Sequence, residues 1–125
     1  MKYLATLAAI VLPATAQAVS QIPAEGDVVY ECQITEICNP GGCKLLDPAR
    51  QVTLKKTEGS SKGVVHADGT DHEVMVIPSL GAQEFLQIQA GGTVGYTVKS
   101  DTGSLEVRAT GGQQRNERGA CTSAN

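Results

Sequence analysis

From residue 28 onward, apolar side chains recur at every second position in short runs, the period of a β-strand with one dry face. Val28, Tyr30, Cys32 and Ile34 alternate with Glu31, Gln33 and Thr35. The pattern returns at Val52 and Leu54, at Leu86, Ile88 and Ala90, at Val94, Tyr96 and Val98, and at Leu105, Val107 and Ala109. Each set is expected to face the core, which leaves Tyr30 and Tyr96 as the only large inward side chains and puts Phe85 outside that set. Val64-Val65 and Val74-Met75-Val76-Ile77 are continuously apolar, which suits strands covered on both sides or wrapped by their neighbours. A last strand is expected around Gly119-Ala120-Cys121-Thr122, and no stretch sustains a helical period.

Turn chemistry separates these runs: Gly59-Ser60-Ser61, Asp68-Gly69, Pro78-Ser79-Leu80-Gly81, Gly91-Gly92, Asp101-Thr102-Gly103 and Gly111-Gly112. Such short connections make hairpins. Seven or eight antiparallel strands with one apolar face must close into a barrel or fold into a sandwich to cover that face. The meander pattern favours the all-β, up-and-down barrel over residues 28–125. The connection over residues 37–49 is the longest early one and has room for a single helical turn. Outward residues are Lys, Glu, Gln, Thr and Arg, so the barrel lacks the lipid-facing apolar band of an outer-membrane protein, and no membrane insertion is expected. A barrel of this size is either packed solid or holds one small cavity.

The first eighteen residues read as a secretory signal: Lys2, then the apolar run Leu4 to Leu12, then Ala16-Gln17-Ala18 as a small-x-small cleavage pattern. Residues 19–27 then form a flexible lead-in. The expected address is the periplasm or the exterior, where disulfides form and persist. Cys32, Cys38, Cys43 and Cys121 allow three pairings. Six residues of extended chain span ~20 Å, too far for Cys32 to reach Cys38 without folding back. Cys38 and Cys43 flank Asn39-Pro40-Gly41-Gly42, a run suited to reversing the chain, which leaves Cys32 for Cys121. The Cys-x5-Cys-x4-Cys spacing does not follow that of zinc sites.

Candidate chemistry is sparse. His66-Ala67-Asp68-Gly69-Thr70-Asp71-His72 is the one cluster of ligand and acid-base types. A two-residue Asp68-Gly69 loop opposes His66 to Asp71 and Val65 to His72, placing the histidines on opposite faces; a three-residue loop would put both on one face. Ser60-Ser61-Lys62 reads as a hairpin tip, and neither a nucleophile motif nor a phosphate loop is present. The expectation is a protein that is not an enzyme and takes no metal or cofactor. With 10 basic against 13 acidic residues and 3% aromatic content, nucleic acid is not expected as a partner either.

Two segments are more exposed than a scaffold alone requires: the Cys38-to-Cys43 loop, and residues 111–118, where Gln113, Gln114, Arg115, Asn116 and Arg118 form a candidate contact loop for an anionic or glycan partner. Cleavage of the signal leaves nine basic and thirteen acidic side chains, and that acidic balance suits a basic secreted protein, while the exposed loop suits a cell-wall glycan. Two functions follow from the pattern: a binding or inhibitor-type module that acts through its loops, or a carrier of a small apolar ligand inside the barrel. A filled interior favours the first and an open, apolar-lined cavity the second.

Tyr30-Glu31-Cys32 near the start and Gly119-Ala120-Cys121-Thr122 at the end resemble the outline of small secreted, cysteine-containing β-barrel proteins of Gram-negative bacteria. The outline is also similar to that of the periplasmic c-type lysozyme inhibitors, whose small barrel begins near Tyr-x-Cys and ends near a cysteine. The resemblance implies a secreted barrel. The tryptophan-containing central segment of the inhibitors has no counterpart in a chain with no Trp, and no functional residue carries over.

Overall fold

The computed structural model describes residues 28–57, 59–112 and 114–124. The signal expected over residues 1–18, the segment 19–27 and Gln113 lie outside the described residues. Eight antiparallel strands run in chain order: β1 (Val28–Asn39), β2 (Gly42–Lys56), β3 (Lys62–Ala67), β4 (Thr70–Ser79), β5 (Ala82–Gln89), β6 (Gly92–Lys99), β7 (Ser104–Gly111) and β8 (Arg115–Ser123). Each pairs with the next, and β8 pairs with β1, so the sheet closes into a barrel.

Two-residue loops close most of the hairpins. Asp68 and Gly69 both hold positive φ (53° and 76°), the backbone that a tight hairpin with right-handed strand twist demands. Closure is fastened where it begins and ends: Cys32 lies directly opposite Cys121 across the β1–β8 seam, and the two form a disulfide spanning 89 residues of sequence. Cys38 and Cys43, also directly opposed, lock the tip of the β1–β2 hairpin. Both pairings agree with those expected from chain geometry.

The segment 37–49 holds no helical turn. β1 continues through it to Asn39, still paired with β8 at Ile37 and Cys38, and β2 starts at Gly42, so residues 37–49 belong to the β1–β2 hairpin. Register shifts between Ile34 and Glu36, and four residues of β2 (46–49) bulge opposite Thr35. Local turn signals suggested a coil, but backbone pairing from the hairpin tip overrides them.

Inward side chains fill the barrel: Ile34, Leu54, Val65 and Phe85 are fully buried, with Val52, Val76, Val98, Leu105 and Val107 at 1–3% exposure. The face expected for β5 is inverted. Phe85 is inside and meets Tyr30 edge to face, with ring centroids 6.3 Å apart, whereas Ile88 is 66% exposed. The reason is register: Ser79 pairs with Ala82 around the Leu80-Gly81 turn, so inward Val76 opposes Phe85. β4 is likewise covered on one side only, with Val74 and Val76 inside and Met75 and Ile77 exposed outside.

Candidate functional site

One end of the barrel, where β1 meets β2 and β7 meets β8, gathers most of the polar chemistry. Its anchor is Glu117, the one buried charged residue in the described structure, on the inward face of β8. Arg50 of β2 donates to both carboxylate oxygens, Nη2 to Oε1 at 2.8 Å and Nη1 to Oε2 at 3.1 Å. Arg115 Nε approaches Oε2 at 3.2 Å, so one carboxylate is held by two guanidinium groups. Hydrogen bonding to Glu117 raises the Arg50 pKa further above its usual value, against the opposing effect of burial. Arg50 Nε, 4.0 Å from the Asp68 carboxylate, makes no hydrogen bond among the described residues.

This ion-paired cluster escaped the sequence reading, which treated residues 111–118 as a loop. The structure confines the connection to 112–114 and makes Arg115, Asn116 and Arg118 part of β8. The signal was available: counting back by two from inward Cys121 gives Gly119, Glu117 and Arg115, and counting back from Leu54 and Val52 gives Arg50.

Around the cluster the rim carries two adjoining open depressions. The first, about 440 Å³, lies between the disulfide-locked hairpin (Cys38, Asn39, Pro40) and Arg108, Gln114 and Asn116. The second, about 430 Å³, runs along Gln89, Gly91, Gly92, Thr93 and Gly112. Ala109, Thr110 and Arg115 line both. The structure therefore brings together the two segments that the sequence marked as exposed, and it places Gln114, Arg115 and Asn116 beside the Cys38–Cys43 loop. Arg118 is exposed on β8 outside these depressions.

The rim's shape depends on glycine. Gly92 and Gly111 are directly paired, and a Cβ on Gly92 would stand 2.0 Å from the Thr110 carbonyl oxygen. Gly111 has φ +95°, and a Cβ there would meet the Gly91 carbonyl oxygen at 1.9 Å. No side chain fits between the β5–β6 and β7–β8 turns at this approach.

The histidines follow the two-residue register. His66 opposes Asp71 on the outer face and pairs with it, while Val65 opposes His72, whose Nδ1 lies 3.1 Å from Gln87 Nε2 on the inner side. They do not share a face. Glu36 lies within 4.8 Å of both sulfurs of the Cys38–Cys43 bridge, but sulfurs in a disulfide are not thiolate ligands.

Comparison with known proteins finds no match among family models, curated proteins or solved structures.

Proposed function

We propose that the protein is a non-catalytic binding module of an oxidising, extracytoplasmic compartment, and that it acts through the rim depressions rather than the barrel interior. The observation that carries this reading is the filled interior. Phe85, Leu54, Val65 and Ile34 meet at the centre with no exposure to solvent, leaving no apolar chamber among them for a carried ligand. Two open depressions flank the exposed hairpins instead.

The rim is built as a rigid presenter. A disulfide fixes one wall, paired glycines set the other, and the Glu117 carboxylate orients Arg115 from below. Its lining of guanidinium, amide and hydroxyl groups, with Arg108 and Arg115 the charged members, suits a hydrogen-bonding or anionic partner such as a cell-wall glycan. Two disulfides are compatible with an oxidising compartment, and the secretory signal read over residues 1–18 supports that address.

The test is affinity capture from periplasmic and secreted material with the oxidised protein, beside an Arg108→Ala/Gln114→Ala variant. Capture of a protein or glycan by the wild type, lost in the variant, supports the rim. Equal capture by both, or an apolar small molecule co-purifying with the wild type, overturns it.

A further inference from the structure

Four of the five large hydrophobic side chains exposed on the described surface lie on one wall of the barrel: Met75 (48%), Ile77 and Leu80 on β4 and its turn, and Ile88 (66%) on β5. Met75 pairs laterally with half-buried Leu86, and together with Val64 and Ile88 they line one outward strip. A depression of about 430 Å³ runs along it, with Lys62 and Glu73 among its lining residues. Closure of the barrel satisfies the backbone of these strands, so what remains to be covered is side-chain surface rather than an open sheet edge.

The charges on the stripe indicate the occupant. Lys62 sits on β3 beside Met75, and Glu73 sits on β4 beside Val64, two lateral pairs further along the barrel. Among the described residues neither forms an ion pair. A two-fold axis lying in the plane of the interface and running diagonally across β3 and β4 brings Lys62 of one copy over Glu73 of the other, twice. The same operation lays Met75 and Leu86 against their own counterparts. A face that carries the two signs on either side of an apolar strip is complementary to itself, which is the requirement of an isologous contact.

We propose that the protein forms a two-fold dimer through the outer face of β3, β4 and β5, with Lys62 of each copy paired to Glu73 of the other. The strip is small beside the ~800 Å² per partner of a standard stable interface, so the dimer is weak and concentration-dependent. β8 lies four strands from β4 in a ring of eight, on the opposite wall, so dimerisation leaves the depression between the β1–β2 hairpin and β8 free in both copies. Two rims on one particle gain avidity for a repetitive or surface-bound partner. The dimer itself stands on the β3–β5 face and is independent of what the rim binds.

Sedimentation of the oxidised protein over roughly 1 µM to 1 mM tests it. The expected result is a monomer–dimer equilibrium that Lys62→Glu or Glu73→Lys weakens at least about tenfold and that the double reversal restores, with circular dichroism unchanged because both side chains are exposed. Ile88→Lys should abolish it. A monomer throughout the range, a dimer indifferent to the single reversals, or a monomer that instead takes up detergent at this face overturns the proposal.

Discussion

Arg50 and Glu117, 67 residues apart in sequence, are joined by two parallel hydrogen bonds of 2.8 and 3.1 Å across the interior face of β1. β2 and β8 are not neighbours in the sheet, since β1 runs between them. The pair therefore ties together two strands that share no backbone hydrogen bonds, at the end of the barrel where the rim is built. Arg50 pairs with Ile34 of β1, immediately beside the bulge formed by residues 46–49 of β2.

A buried carboxylate that loses its main partner keeps its desolvation cost. Arg50→Met should lower unfolding stability by about 3–5 kcal/mol. The double variant Arg50→Met/Glu117→Leu replaces the pair with apolar volume and should recover most of that loss. Urea unfolding of the two variants decides it; equal losses would mean that Glu117 is satisfied by Arg115 alone.

The two disulfides should contribute unequally. In the chain-entropy account a bridge stabilises by restricting the unfolded chain, by about 4–5 kcal/mol for the 89-residue separation of Cys32 and Cys121 and about 2 for the five-residue separation of Cys38 and Cys43. Replacing both cysteines of the first pair by Ser should lower Tm by more than about 15 °C, and replacing the second pair by about half that. A larger loss from the short bridge would show that it supports the hairpin extension rather than merely closing it.

Much of this architecture was legible from alternation and turn chemistry, because a period of two needs only a correct starting parity. At Asp68-Gly69 the sequence left two registers open, and the two-residue loop selects the one that opposes His66 to Asp71 and puts His72 on the other face. Alternation failed at β5. There Leu86, Ile88 and Ala90 outnumber Phe85 as apolar residues, and the continuous run Val74 to Ile77 hides the parity of β4. Carrying parity forward through His72, Val74 and Val76 and around Leu80-Gly81 would have put Phe85 inside. The Arg50–Glu117 pair stayed hidden for a different reason: polar residues in a Gly-flanked segment look like loop until the disulfide fixes the face of β8.

The inversion of β5 has a direct consequence for substitutions there. Phe85→Ala removes a fully buried ring that packs on Tyr30 and should cost about 3–5 kcal/mol. Ile88→Ala removes an apolar side chain that faces outward and should change monomer stability by less than about 0.5 kcal/mol. Thermal or urea unfolding at dilute concentration, where the monomer prevails, makes the comparison. The opposite ranking would restore the face read from apolar count.

Tyr96 gives the fold a dependence on alkaline pH. Its phenol is buried beside the charged cluster, and burial raises its pKa, with the Arg50 guanidinium acting in the opposite sense. A raised folded pKa means that the folded state binds the proton more tightly than the unfolded chain does. The associated stability is therefore fully present below the ordinary tyrosine value of about 10 and is lost as pH rises through that value toward the higher folded one. Tyr96→Phe removes the titrating group while keeping the ring. Wild type should lose more stability than Tyr96→Phe between about pH 8 and pH 11, measured by urea unfolding at each pH. Parallel losses in the two proteins would mean that the phenol reaches solvent when it ionises, and that the charged end of the barrel opens at high pH without cost to the rest of the fold.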